Sequence, residues 1–181
     1  MKKEKKLFVR HASAVVDPTG AYRYALWRWW TEDPSDLRFV NFVMLNPSTA
    51  DGEKDDPTIK KCMAYADAWG FRRMGVTNLF ALRSTDPTNI ETGWSDVIKK
   101  KVADPIGPQN DETIIGVATH ATAIICAWGN DGWLLDRPAA VKQLLRPFAS
   151  KLHFLRLNGT GEPAHPLFLS GAITPTRWEL R

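Results

Sequence analysis

The strongest restriction on the fold of this chain comes from a nearly continuous apolar run at residues 37–46, LRFVNFVMLN. A strand that is apolar at almost every position must be covered on both faces, which is typical of the centre of a parallel sheet. A second run of this kind, GVTNLFAL, follows at 75–82, and ATAIICAWG and KLHFLRLN supply two more. The sequence therefore predicts a central, mainly parallel sheet of four strands.

Segments with helical periodicity separate these strands. In DDPTIKKCMAYADAWGF, Asp56 is a predicted N-cap, Pro57 fits the first turn, and Gly70 suits the C-terminal end. NDETIIGVATH, with Asn110 as its predicted cap, and RPAAVKQLLRPFA are the other two predicted helices. Strands that alternate with helices through right-handed crossovers indicate an α/β fold with helices on both faces. We expect a three-layer α/β/α sandwich.

A turn signal divides the N-terminal region. LFVRHASAVV and AYRYALWRWW flank DPTG at 17–20, where Pro presets φ and Gly accepts the left-handed conformation. The pair predicts a β-hairpin, an extension over residues 1–36 of one domain that spans 1–181. The segment 83–109 is rich in Pro, Gly, Asp and Thr and is a predicted surface loop. Loops of such length are often functional.

Composition excludes several classes of protein. No stretch approaches the ~20 apolar residues that a membrane span needs, and no signal peptide is evident, so we expect a cytoplasmic protein without membrane contact. Cys62 and Cys126 lie in periodic apolar segments and are predicted to be buried, inert thiols rather than a disulfide or a zinc site. The net charge of +4 is compatible with a polyanionic partner but does not require one.

Polar residues follow the predicted strands at the edge where open α/β sheets bind ligands. Asn46-Pro47-Ser48 ends the first strand, Asn78 lies in the second, Trp128-Gly129-Asn130-Asp131 follows the third, and HPLFLSG at 165–171 follows the fourth. Strand-ending Asn-Pro is also ordinary turn chemistry, and a satisfied core amide is the alternative for Asn78. The pattern predicts a candidate ligand site at this edge.

Charged residues near the same edge allow a second kind of site. Asp51, Asp55 and Asp56, together with Glu53, form an acidic cluster. A solvated loop with a helix N-cap is one interpretation, and a Mg²⁺ site beside a phosphate is the other. Arg83, directly after the second strand, is the best individual candidate for a phosphate contact.

Five short motifs resemble the bacterial and phage DUF1643 domain over residues 22–171: YRYALWRWW, LNPSTAD, DDPTIKKC, NLFALRSTDP and AWG. The family name carries no established activity. Its setting implies a context of modified phage DNA or of phage defence.

A more distant resemblance is to the uracil-DNA glycosylase superfamily. MLNPS is similar to its water-activating motif, GVTNLFALR to the strand whose asparagine binds the base, IICAWG to an L-L-W-G strand, and HPLFLS to the H-P-S-P-L-S histidine loop. The sequence departs from these superfamily motifs at three points. Met44 replaces the usual glycine, Ser48 replaces tyrosine or glycine, and HPLFLS lacks the first serine of the histidine loop.

The resemblance implies a role for each matched residue. Asn46 would orient the attacking water, since an amide cannot act as a general base at neutral pH. Asn78, Pro47 and Ser48 would bind the base. His165 would stabilise the negative charge on the departing base. DNA contacts would come from Leu167, Phe168, Leu169 and Ser170, whose apolar members are candidates for a wedge, and from Arg83.

The expected function is therefore that of a DNA glycosylase-like enzyme, which hydrolyses the N-glycosidic bond of a flipped uracil or modified base without a cofactor or metal. One alternative is a metal-dependent nucleotide or phosphate-ester enzyme that uses Asp51, Asp55 and Asp56. The other is a non-catalytic module that binds nucleic acid.

Overall fold

The computed structural model describes residues 11–33, 35–48, 50, 54–83, 104–130 and 135–180. Within these residues the chain forms seven strands: β1 His11–Val16, β2 Arg23–Trp29, β3 Val40–Met44, β4 Arg73–Asn78, β5 Ala123–Cys126, β6 Leu152–Phe154 and β7 Thr176–Arg177. The helices are α1 Pro57–Ala68, α2 Asn110–His120 and α3 Arg137–Leu145. Two 3₁₀ helices follow, Arg146–Lys151 and Pro166–Phe168.

All seven strands belong to one sheet with the order β1-β2-β4-β3-β5-β6-β7. The four predicted strands, β4, β3, β5 and β6, pair in parallel at its centre. The α/β class is confirmed, but the predicted four-stranded sheet is too small. β2 pairs antiparallel with β4, and its almost fully buried side chains show why the hairpin joins the sheet instead of lying apart. β7 adds an antiparallel strand at the other edge.

Successive side chains of the central strands point to opposite faces of the sheet, so the core consists of two layers. Val40, Phe42 and Met44 of β3 pack with Ile59 and Cys62 of α1 on one face. The intervening positions face the other way, where Val43 and Ile124 pack with Ile114 of α2 and Val141 of α3. The helices therefore lie on both faces of the sheet, in the predicted three layers.

The ends of α1 are those that the sequence predicts. The Asp56 side chain accepts a hydrogen bond from the Ile59 amide at 2.8 Å, and Pro57 begins the helix. Gly70 follows the helix with φ +85°, a left-handed conformation that favours glycine. Cys62 and Cys126 are both buried, and burial raises the pKa of each thiol, which confirms the prediction of inert cysteines.

Some predictions fall on parts of the chain that lie outside the described residues. These are most of the predicted loop at 83–109, namely residues 84–103, and Asp51 and Glu53 of the acidic cluster. Among the helices that the structure describes, none has the length and apolar character of a membrane span.

Candidate functional site

The carboxyl ends of β3 and β4 place Asn46 and Asn78 at one edge of the sheet. Met44, the last residue of β3, pairs with Asn78, the last residue of β4. The two strands stay adjacent beyond their ends, because the Leu79 amide donates to the Met44 carbonyl at 2.8 Å. Asn46 therefore follows directly beside the end of β4, and β5 ends on the opposite side of β3.

Asn78 is the most unusual side chain at this edge. It is 0% exposed, and neither its Nδ2 nor its Oδ1 has a hydrogen-bond partner among the described residues. Its position alternates with Met74 and Val76, which pack on the α1 face, so its amide lies on that face as well. An unsatisfied buried amide costs about 1–3 kcal/mol. The cost is offset when a ligand or a water molecule supplies the missing partners.

The backbone at Asn78 is held from the other face of the sheet. The side chain of Asn110, the first residue of α2, donates from Nδ2 to the carbonyls of Asn78 and Leu79, each at 3.0 Å. Nε of the buried Arg137 donates to the same Leu79 carbonyl at 2.7 Å, and its guanidinium pairs with Asp111. The predicted cap at Asn110 is wrong: Gln109 is the N-cap, and the Asn110 side chain binds the end of β4 instead.

Asn46 and its neighbours form the turn that leaves β3. Asn46 is half-buried and its Nδ2 donates to the Pro47 carbonyl at 3.3 Å. Pro47 is buried and Ser48 is exposed. The buried Arg23 of β2 donates to the carbonyl of Ala50, which fixes the segment that follows.

The described members of the acidic cluster have structural partners. Asp55 forms an ion pair with the buried Arg28 of β2 at 2.7 Å, and Arg28 also donates to the Lys54 carbonyl at 3.3 Å. Asp56 caps α1. Among the described residues, no group of three His, Cys, Asp or Glu side chains is placed to hold a metal ion. Both carboxylates thus serve to fasten the loop between β3 and α1.

The segment that carries His165 is fixed to the end of β5. Glu162 accepts from Trp128 Nε1 at 2.7 Å and from Lys142 Nζ at 2.6 Å. The Gly129 amide donates to the Pro163 carbonyl at 2.8 Å. Gly129 has φ +79°, and a Cβ there would lie 3.8 Å from His165 Cβ. The glycine of the AWG motif therefore allows the backbone of β5 to turn beside His165.

His165 is half-buried at the start of the 3₁₀ helix Pro166–Phe168. Its Nδ1 accepts a hydrogen bond from the Leu167 amide at 3.4 Å. A neutral imidazole whose Nδ1 accepts carries its proton on Nε2. In that tautomer Nε2 is the donor nitrogen of the ring.

The turn after His165 is attached to α1. The Tyr65 hydroxyl lies 3.0 Å from the Ser170 carbonyl oxygen, 3.1 Å from that of Leu169 and 3.4 Å from that of Pro166. Phe168 is 84% exposed, Leu167 is half-buried and Ser170 is exposed. Leu169 is packed in the α1 core, so we remove it from the candidate wedge residues.

Arg83 lies at the β1–β2 turn. Its amide donates to the Ala21 carbonyl at 2.9 Å, and its Nη1 donates to the Gly20 carbonyl at 3.3 Å. These bonds explain its place beside the hairpin. Its contact with a phosphate stays a prediction.

Several residues that organise this edge have no sequence signature. Asn110 has the appearance of a helix cap, and Arg137 that of a surface residue before a helix proline. Glu162 lies in a segment with no regular period. Each bonds to a residue distant along the chain, and local patterns do not reveal such partners. The one hint in the sequence is their position: Asn110 begins the helix after β4, and Arg137 begins the helix after β5.

The edge thus offers a buried amide with a donor and an acceptor, a second amide on a turn, and an imidazole with a donor nitrogen. Such groups can hydrogen-bond a planar heterocycle, orient a water molecule and stabilise an anion.

Comparisons with known proteins identify the family of the chain. No curated protein and no solved structure is significantly similar to it. A family model described as a protein of unknown function, DUF1643, matches residues 23–167. Because this match covers more than half of the sequence, the chain belongs to the DUF1643 family.

Proposed function

We propose that this protein is a DNA glycosylase-like enzyme that hydrolyses the N-glycosidic bond of a uracil or modified base flipped out of DNA. The observation that supports the proposal is the Asn78 amide, fully buried at the carboxyl edge of a parallel sheet, whose two polar atoms have no partner among the described residues. Buried amides normally have partners, and this one lies where open α/β sheets bind ligands. A nucleobase edge supplies a donor and an acceptor together.

In this mechanism Asn78 binds the base edge and holds the flipped nucleotide. Cleavage of the glycosidic bond builds positive charge on the sugar and negative charge on the base. His165 donates from Nε2 toward the base oxygen and stabilises the negative charge. Asn46 orients the water that attacks the sugar carbon, and the bond between that carbon and the base nitrogen breaks. The departing base takes up a proton, and an abasic site remains.

Extrusion of a base from the stack costs a few kcal/mol. An apolar side chain that occupies the vacated space offsets part of this cost. Phe168 is suited to the role, because it is 84% exposed on a turn that is tied to α1 and that starts at His165. The net charge of +4 is favourable for contact with DNA.

The test is base release from defined DNA. Oligonucleotides with one deoxyuridine, and hypermodified phage DNA, are incubated with the protein in EDTA and then treated with alkali, which breaks the strand at abasic sites. We expect breaks with the wild type and at least a hundredfold fewer with Asn46→Ala and His165→Ala. His120→Ala, an exposed histidine at the end of α2, is the matched control and retains activity.

Two results would contradict the proposal. Breaks that require Mg²⁺ and disappear in EDTA indicate a metal-dependent enzyme. Salt-dependent DNA binding without any base release, unchanged in the variants, indicates a binding module.

A further inference from the structure

A cavity of about 360 Å³ lies at the amino edge of the central strands, at the opposite end of the sheet from the candidate site. Its walls include Trp27 and Trp29 of β2, Phe39 just before β3, and Arg73, the first residue of β4. Pockets for small ligands typically have volumes of about 300–1,000 Å³ and mostly apolar walls with a few polar groups. This cavity therefore has the size and the lining of a small-molecule site.

The strand register explains why these side chains meet. Trp27 and Trp29 are two residues apart on β2 and therefore point to the same face of the sheet. Trp29 pairs with Arg73 of β4, and Trp27 pairs with Gly75. A Cβ at Gly75 would lie 2.9 Å from Cζ3 of Trp27, which is too close, so the glycine leaves the space that the indole occupies. The two indoles thus lie side by side, with Arg73 across from one of them.

Neighbouring rings fix the aromatic walls of the cavity. The Trp27 ring packs edge-on against Phe39, with centroids 5.1 Å apart and 72° between the ring planes. The Trp29 ring is stacked on His11 of β1 at a centroid distance of 4.9 Å. Phe39 is buried, whereas both indoles are only half-buried. Indoles that are held in this way offer a rigid surface on which a planar ring can stack.

Arg73 supplies the charge of the cavity lining. Two carboxylates lie near it, but each has a stronger partner. The pKa of Asp33 is lowered mainly by hydrogen bonds from Ser35 and only slightly by Arg73. The pKa of Asp36 is lowered mainly by a hydrogen bond from Arg38, and Arg73 again adds least. A guanidinium matches the planar fork of a carboxylate or the oxygens of a phosphate, so the lining favours an acidic ligand.

We propose that this cavity binds a planar aromatic anion, whose ring stacks on the indoles of Trp27 and Trp29 and whose acidic group accepts hydrogen bonds from Arg73. Nucleoside monophosphates and aromatic carboxylates both have this chemistry. A quaternary ammonium ion, which aromatic walls also bind, is repelled by the guanidinium. The cavity lies away from Asn78, and the inference does not depend on the proposed function.

The test is calorimetric titration at neutral pH with two anions and their neutral counterparts. The pairs are 2′-deoxyadenosine 5′-monophosphate with deoxyadenosine, and indole-3-acetate with indole. We expect the wild type to bind at least one of the anions, and to bind it at least tenfold more tightly than its neutral counterpart. Binding of only one anion identifies a phosphate or a carboxylate as the acidic group that the site takes. Choline is the cationic probe and should bind more weakly than either anion.

Two variants assign the binding to this cavity. Arg73→Gln should lose the preference for the anion and still bind the neutral counterpart as the wild type does, which also shows that the cavity is intact. Trp29→Ala should weaken binding of the anion by about tenfold or more, because the ring loses its stacking surface. Arg156→Gln, which changes an exposed arginine after β6, is the matched control and should keep the wild-type preference.

Four results would overturn the proposal. The first is no heat of binding with either anion at millimolar concentrations. The second is equal affinity for each anion and its neutral counterpart. The third is binding that is unchanged in both Arg73→Gln and Trp29→Ala, which would place the ligand elsewhere on the molecule. The fourth is tighter binding of choline than of the anions, which would make the cavity a site for cations.

Discussion

Asn78 and Asn41 are two fully buried amides on neighbouring strands with different surroundings. Asn41, in β3, donates from Nδ2 to Thr77 Oγ1, which compensates part of its burial, while its Oδ1 has no partner among the described residues. Asn78, at the end of β4, has no such compensation among the described residues. A purely structural side chain at this position would be apolar, because an apolar group has no hydrogen bonds to satisfy. The proposed function accounts for this amide, since a bound base would supply the missing partners.

Asn78→Leu should increase the free energy of unfolding by about 1 kcal/mol, because it removes an unsatisfied polar group of similar size. Asn41→Leu is the matched control. It should decrease the free energy of unfolding by about 1 kcal/mol, because Thr77 loses its partner. Urea denaturation of both variants and the wild type measures the two changes.

A loss of stability in Asn78→Leu comparable to that in Asn41→Leu would contradict this account. It would show that the Asn78 amide has a structural role in the unliganded protein.

Among the helices and strands, β2 has a role beyond its place in the sheet. Its buried arginines bond to described residues between β3 and α1: Arg23 to the Ala50 carbonyl, and Arg28 to Asp55 and the Lys54 carbonyl. This strand therefore holds Ala50, Lys54 and Asp55 in place. The same bonds give Asp55 a structural role that competes with metal binding.

Asp55→Asn should decrease the free energy of unfolding by about 3 kcal/mol, because Arg28 keeps its buried charge without the carboxylate. Thermal denaturation in EDTA and in excess Mg²⁺ measures the effect. We expect the same loss in both buffers. A wild type that is stabilised by Mg²⁺, and an Asp55→Asn variant that is not, would support the metal site instead.

Local patterns were sufficient to predict the central strands, the three helices and the caps of α1, because apolar periodicity and capping residues are features of neighbouring positions. They failed where pairing partners are distant. The hairpin joins the sheet because β2 pairs with β4. Asn110 binds the Asn78 carbonyl at the end of β4 and does not cap its own helix.

In the candidate site, too, the sequence predicts local features and misses those that depend on distant partners. The sequence predicted Asn46, Asn78 and His165 as site residues because motifs at strand ends are local, and this stays a prediction. It did not separate Phe168 from Leu169, since only the packing against α1 shows that Leu169 is buried and Phe168 exposed. Nor did it find Arg137 and Glu162, whose partners are far along the chain.

The Tyr65 hydroxyl and the packing of Leu169 both attach the 3₁₀ helix Pro166–Phe168 to α1. Tyr65→Phe removes its hydrogen bond to the carbonyls of Leu169 and Ser170 and keeps the ring. We expect a loss of about 1–2 kcal/mol of stability and faster hydrogen exchange at the amides of 167–169. Unchanged exchange in this turn would show that packing of Leu169 alone holds it.

For the molecule as a whole, the two edges of the parallel strands present different exposed apolar side chains. Phe168 lies at the carboxyl edge beside the candidate site, and Leu37, which is 69% exposed, precedes β3 at the opposite edge. The proposed function would use Phe168, and not Leu37, as the wedge.

Phe168→Ala should lower base release from duplex DNA by about tenfold and leave release from single strands nearly unchanged, because only the duplex must be unstacked and unpaired. Leu37→Ala is the matched control and should affect neither substrate. Comparison of initial rates on the two substrates measures the effect. An equal loss on single strands would indicate that Phe168 acts in chemistry or folding instead of as a wedge.

The most direct measurement is the side-chain amide signal of Asn78 in protein labelled with ¹⁵N-asparagine, assigned by its absence in Asn78→Leu and followed during titration with free uracil. We predict that the Asn78 Nδ2 signals shift to saturation while those of Asn41, already bonded to Thr77, stay in place. Asn78 signals that do not move at any uracil concentration would contradict the assignment of this amide as the base-binding group.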